Sequence, residues 1–107
     1  MTTMTSNILK LTAPYNNQYQ GTARRLLFVC SVGLLRSPTS ADIATKLGYN
    51  ARSCGSSKEA LIPLSVNLIA WGDDIIFMNK ENFQEARWVF EGSQWYDTLI
   101  SKAVVFD

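Results

Sequence analysis

A cysteine and an arginine, Cys30 and Arg36, stand six positions apart in this chain, and Ser37 follows directly. A loop of that length can wrap around one tetrahedral anion with its backbone N–H groups pointing inward. Arg36 can hold two phosphate oxygens through its planar guanidinium group. Cys30 then lies among positive partial charges, which lower the pKa of its thiol, and Ser37 can donate a hydrogen bond to the sulfur. The spacing predicts a phosphate-binding loop with a cysteine nucleophile.

The residues between the cysteine and the arginine are the predicted substrate-binding residues: Ser31, Val32, Gly33, Leu34 and Leu35. Gly33 tolerates a positive φ, so the loop can close without steric strain at a Cβ atom. A helix that begins directly after the loop would add the partial positive charge of its N-terminus to the anion site.

The residues on either side of the loop predict a strand and a helix. Residues 24–30 end in a continuous apolar run, which is typical of a strand buried on both faces of a parallel sheet. Pro38 after Ser37 indicates the first turn of a helix, and Gly48 indicates its end. The apolar stripe of this helix is predicted to face the sheet: Ile43, Ala44 and Leu47.

The remaining patterns complete a domain. Strands are predicted at 51–56 and 73–79, and a fourth, buried strand at 102–107; helices are predicted at 64–71 and 80–89, with a short helix or turn at 95–100. This order predicts a three-layer doubly wound α/β domain, in which helices flank a four-stranded parallel sheet. The domain comprises residues 24–107, and residues 1–23, rich in Thr, Asn and Gln, are predicted to be a mobile N-terminal extension.

Cys30, Ser56, Asn79 and Asp107 each stand at the carboxyl end of a predicted strand. Ligands bind beyond those ends in doubly wound sheets, so the sequence predicts a site there. Asp107 is a candidate general acid on this position alone.

The composition narrows the possible functions. The 107 residues carry a formal net charge of +1, which does not favour a nucleic-acid partner bound through a broad basic field. The chain contains two cysteines and no histidine, so a zinc site and a His-dependent catalytic triad are not expected. No apolar run approaches the ~18 residues of a membrane span, and the expected location is the cytoplasm with both thiols reduced.

The segment Leu27-Phe28-Val29-Cys30, the five-residue spacer and Arg36-Ser37-Pro38 together resemble the active-site signature of the low-molecular-weight protein tyrosine phosphatases. The likeness is to a small predicted tyrosine phosphatase branch of that superfamily. Asp42 matches the acidic residue that commonly follows the Ser-Pro pair. The resemblance covers residues 26–42 closely and the layout of elements up to residue 107.

This resemblance implies a two-step hydrolysis of a phosphomonoester through a phosphocysteine. Cys30 would attack phosphorus, while Arg36 and the loop amides hold the equatorial oxygens, and an Asp near the C-terminus would protonate the leaving oxygen. The substrate would be a phosphorylated protein or a small phosphate ester. No metal or organic cofactor is expected.

The chain departs from the family pattern at three places. Val32 and Gly33 replace the usual Gly-Asn pair, and Leu35 replaces a second loop cysteine that is often present. The Asp-Pro-aromatic segment that carries the general acid is absent, which leaves Asp107 as the candidate nearest that place. The alternative is therefore a weakly active or inactive phosphate-binding module.

Other interpretations of the same residues remain open. An arsenate reductase would need further cysteines after the third strand, and a phosphocysteine carrier domain fits Arg36-Ser37-Pro38 less well. Cys54 is more typical of core packing than of catalysis. Asp73 and Asp74 are more typical of a turn than of a general acid. Several aromatic residues could wall an aromatic substrate, although their spacing also suits core packing: Trp71, Trp88, Trp95 and Tyr96.

Overall fold

The computed structural model describes residues 22–31 and 36–106. This part of the chain contains the strands β1 Arg25–Cys30, β2 Asn50–Gly55, β3 Asp74–Phe77 and β4 Ala103–Val105. It also contains the helices α1 Arg36–Lys46, α2 Val66–Trp71, α3 Lys80–Phe90 and α4 Tyr96–Lys102. Most of the predicted N-terminal extension, residues 1–21, lies outside the described residues.

The strands form one parallel sheet in the order β2-β1-β3-β4. One face of the sheet packs against α1, and the other face packs against α2, α3 and α4. The predicted three-layer α/β domain with a four-stranded parallel sheet is therefore confirmed. From β1 the chain crosses to β2 on one side and then returns to β3 on the other, so the order of connections reverses at the carboxyl end of β1.

The apolar run of β1 is buried on both faces, as its continuity predicts. Leu27 and Val29 lie in the larger core beneath α2, α3 and α4, with Ile75 and Phe77 of β3 beside them. We call this side of the sheet the closed face. Phe28 and its neighbours on the other side belong to a smaller core beneath α1, and we call that side the open face.

Local signals set the ends of the helices. The backbone of Gly48, two residues beyond α1, has a φ of +96°, a conformation that glycine adopts without steric cost. The side chain of Ser65 accepts a hydrogen bond from Leu68 N at the start of α2, and Asn79 does the same for Asn82 N at the start of α3. No helix in the described ranges is long and apolar enough to cross a membrane.

The predicted apolar stripe of α1 is wrong at two of its three positions. Ala44 is buried against the sheet together with Ala41, whereas Ile43 is 55% exposed and Leu47 is 72% exposed. Two small side chains let the helix approach the strands closely. Ile43 and Leu47 lie on the same side of the helix as Ser40, whose hydroxyl contacts the sulfur of Met78 just beyond β3.

The prediction of a buried fourth strand is also wrong. β4 is an edge strand of three residues that pairs with β3. Val104 and Phe106 point to the open face and are 41% and 49% exposed. The reason is that α1 contacts β1 and β2 on that face, and no other helix in the described part of the chain covers β4 there.

Candidate anion-binding site

Cys30 is the last residue of the central strand β1 and lies at the carboxyl edge of the sheet. It is buried, and it packs in the smaller core with Phe28 of β1 and with Ala41 and Ala44 of α1. The predicted nucleophile therefore stands where the strand order reverses, which is the usual place for a ligand in this class of sheet.

The helix α1 begins at Arg36, and Ser37 is its second residue. The chain thus passes from the last residue of a strand to the first turn of an 11-residue helix within the spacing that the motif predicts. A helix of this length adds partial positive charge at its N-terminus, which favours an anion there. The loop residues Val32, Gly33, Leu34 and Leu35 lie outside the described residues, and so does the candidate acid Asp107.

The start of the loop is held by the chain that leaves β2. The backbone N–H of Ser56 donates to the carbonyl oxygen of Cys30 at 2.7 Å, and that of Ser57 donates to the carbonyl oxygen of Ser31 at 2.8 Å. These bonds extend the pairing of β1 with β2 beyond the end of β2, so the first two residues of the loop have a fixed backbone.

Two polar side chains of α3 reach the same place from the closed face. The Nδ2 atom of Asn82 donates to Ser31 Oγ at 3.0 Å. One turn further along the helix, Glu85 accepts a hydrogen bond from the hydroxyl of Ser56. The sequence analysis missed both residues. A signal was present, because Asn82 lies four positions before the inward-facing Ala86 and therefore shares its side of α3.

Asp73 and Asp74 do not reach the site. They stand at the amino edge of the sheet, where Arg24 Nη2 donates to Asp74 Oδ1 at 2.9 Å and the backbone N–H of Arg25 donates to Asp73 Oδ2 at 2.9 Å. These hydrogen bonds lower the pKa of both carboxyl groups. Arg24 and Arg25 are the ion-pair partners of these two carboxylates, and both arginine side chains remain exposed to water.

The aromatic residues do not form a wall around the candidate nucleophile. Trp71 ends α2 just before β3 begins, and Tyr96 opens α4, which leads into the amino end of β4. Arg52 lies over the Trp71 ring at 4.5 Å, and Arg87 Nε donates to Tyr96 Oη at 3.1 Å. A shallow cleft beside that bond is lined by Gln84, Arg87, Trp88, Glu91 and Tyr96. Trp71 and Trp95 pack against the larger core, in agreement with the packing interpretation, whereas Trp88 is 78% exposed.

Cys54 is a core residue, in agreement with the sequence analysis. It is buried on the closed face, and burial together with the nearby Cys30 raises the pKa of its thiol. A thiol in such surroundings is unreactive. Cys30 and Cys54 belong to the cores on opposite faces of the sheet, and both are thiols.

No protein-family model, curated protein or solved structure matches this chain. Within the described ranges, no group of three Cys, Asp or Glu side chains is arranged to hold a metal ion. The fold and the site together define an α/β domain with a buried cysteine at the point where the strand order reverses.

Proposed function

We propose that this protein is a cysteine-dependent phosphomonoester hydrolase of the low-molecular-weight tyrosine phosphatase type. One observation carries the proposal: Cys30 ends the central strand at the reversal point, and the next helix starts at Arg36. The loop between them is then the right length to surround one phosphate group, with Ser31 at its start and a helix N-terminus at its end.

In the proposed first step, the thiolate of Cys30 attacks phosphorus and the bond from phosphorus to the leaving oxygen breaks. Arg36 and the loop amides stabilise the charge on the three equatorial oxygens, and Ser37 donates a hydrogen bond to sulfur. A general acid gives its proton to the leaving oxygen, so an alcohol or phenol departs and phosphocysteine remains. We assign that role to Asp107, which stands two residues beyond the end of β4 in the sequence.

In the second step, water attacks the phosphocysteine. The same carboxylate accepts a proton from the water, the bond from sulfur to phosphorus breaks, and inorganic phosphate leaves. The sulfur departs as a thiolate, which the surrounding hydrogen-bond donors stabilise. The cycle consumes only the ester and water and needs no metal or organic cofactor.

The proposed substrate class is a phosphorylated protein or a small phosphate ester, and the proposed location is the cytoplasm. Charge supports a compact anion site rather than a nucleic-acid surface, since the chain carries a net charge of only +1. A reduced Cys30 is required for attack, and the cytoplasm keeps thiols reduced.

A second candidate is a phosphate-binding module with little or no turnover. This candidate is favoured because Asp73 and Asp74 are not placed to act as the general acid. Both carboxylates are bonded to arginines at the edge of the sheet opposite Cys30. The replacement of the usual Gly-Asn pair by Val32 and Gly33 points the same way.

Hydrolysis of p-nitrophenyl phosphate between about pH 5 and pH 7.5 tests the proposal. We expect turnover by the wild type and its loss in Cys30→Ser and in Arg36→Ala. Asp107→Asn should lose about 10²–10⁴-fold on esters with poor leaving groups and less on activated esters. A folded wild type that binds phosphate without turnover would instead support the binding module.

A further inference from the structure

Ser31 is held both through its backbone and through its side chain. The backbone is bonded to Ser57, and the hydroxyl accepts a hydrogen bond from the amide of Asn82, 51 residues away in the sequence. We propose that Asn82 is a positioning residue that fixes Ser31 and so sets the direction in which the loop leaves β1. This inference rests on the proposed function, because it concerns the geometry of the same loop.

The burial of Asn82 supports this role. Its exposed fraction is 2%, and its Oδ1 atom meets no hydrogen-bond donor among the described residues. A buried amide with an unmet acceptor is destabilising compared with an apolar side chain of similar shape. If packing were its only role, leucine would stabilise this position better than asparagine. The Nδ2 atom, which has a hydrogen-bond partner, is the atom that contacts Ser31 at the start of the loop.

The residues around the contact between Asn82 and Ser31 are themselves held by hydrogen bonds. The backbone N–H of Asn82 is held by the Asn79 cap at 2.9 Å, which fixes the first turn of α3. Glu85, on the same side of the helix, is bonded to the hydroxyl of Ser56, whose backbone N–H is bonded to Cys30. Ser31 after β1 and Ser56 after β2 are thus both bonded to side chains of the same helix, α3, on the closed face.

The nucleophile and the residue that positions the loop are held from opposite faces of the sheet. The Cys30 side chain lies on the open face with α1, while the Ser31 side chain is held from the closed face by α3. A shift of Ser31 would rotate the next loop residues relative to the sulfur. Misplacement of catalytic groups by about 1 Å can cost on the order of 100-fold in rate.

The test compares Asn82→Leu with the wild type in three measurements: kcat/KM on p-nitrophenyl phosphate, protection of Cys30 from iodoacetamide by phosphate, and Tm. We expect kcat/KM to fall by about 10- to 100-fold and phosphate protection to weaken. Tm should stay equal or rise, because the unmet acceptor has gone. Asn67→Leu, the same change at an exposed asparagine of α2, should alter neither kcat/KM nor protection.

The double variant Ser31→Ala, Asn82→Leu should lose no more kcat/KM than the more affected single variant, because both substitutions remove the same bond. Losses that multiply would overturn the inference. It also fails if folded Asn82→Leu stays within about twofold of wild type in both site measurements, or if site function and Tm fall together.

Failure of the proposed function gives a different pattern. A wild type that shows no hydrolysis but is protected by phosphate refutes the enzyme proposal, and protection of Cys30 in Asn82→Leu then decides the positioning role. A wild type that shows neither hydrolysis nor protection overturns both proposals. Peptide mapping by mass spectrometry distinguishes alkylation of Cys30, which keeps 7% of its surface exposed, from alkylation of Cys54, which is fully buried.

Discussion

The two faces of the sheet differ in how completely they are covered. The closed face has three helices over it, and Leu27, Ile75 and Phe77 are fully buried there. The open face has α1 over β1 and β2, and it leaves Val104 of β4 and the following Phe106 partly exposed. From this difference we expect stability to come mainly from the closed face, whereas the candidate nucleophile belongs to the open face.

The largest expected effect separates the two cysteines. Cys30→Ser should lower kcat on p-nitrophenyl phosphate by more than about 10³-fold, because a hydroxyl is a far weaker nucleophile than a thiolate. Cys54→Ala, on the closed face, should keep its kcat and lose about 1 kcal/mol of unfolding free energy through a small cavity. Steady-state kinetics and urea unfolding measure the two quantities, and loss of kcat in folded Cys54→Ala would contradict the division.

Phe77 on the closed face and Phe106 on the open face test whether the two faces contribute unequally to stability. Phe77→Ala removes a fully buried ring that packs edge-on against Phe83 at 5.2 Å, and it should cost about 3–5 kcal/mol. Phe106→Ala, on the open face, should cost less than about 1 kcal/mol because half of the residue is already exposed. Urea unfolding gives both values, and equal losses would mean that the open face is covered in solution.

The ion pair at the amino edge of the open face should make stability depend on pH. The pKa of Asp74 is lowered in the folded protein, chiefly by its hydrogen bond from Arg24. The contribution of Asp74 to stability is therefore present above its unfolded pKa of about 3.8, and it is lost as the pH falls through the folded pKa. Asp74→Asn should therefore be less stable than wild type near pH 7, and the gap should narrow as the pH falls below the unfolded pKa of about 3.8. Thermal unfolding of both proteins across this pH range measures the difference. If the difference in stability did not change with pH, the ion pair would not be its cause.

The smallest effect is expected on the exposed side of α1. Leu47→Gln should change the free energy of unfolding by no more than about 0.5 kcal/mol, because the side chain is mostly in water already. Leu68→Gln, in the core beneath α2, is the matched change and should be strongly destabilising because it buries an unpaired amide. A large loss in Leu47→Gln would show that another part of the chain or a second copy packs there.

The sequence predicted the order of elements and the position of the cysteine, because these depend on local patterns. The apolar run before Cys30, the Ser37-Pro38 pair and the glycine at 48 each act within a few residues of themselves. The face of α1 was predicted wrongly, because periodicity finds an apolar stripe but does not tell whether bulky or small side chains meet the sheet. Only the packed structure shows that Ala41 and Ala44 do so.

Long-range pairings account for the other differences. An apolar run such as Val104-Val105-Phe106 has the same pattern in a central strand as in an edge strand, and its burial depends on which helices lie over it. The bond between Asn82 and Ser31 joins residues 51 positions apart, so no local pattern specifies it. Sequence could place Asn82 on the inward side of its helix but could not name its partner.

The central position of β1 also governs how the site is lost. Its backbone pairs with β2 on one side and β3 on the other, so Cys30 cannot leave its place by fraying of an edge. Amide protons of this strand should exchange with solvent only when the whole domain opens, whereas those of β4 should exchange through local openings. Heat inactivation should then follow a single cooperative transition, in which the site is lost together with the rest of the fold.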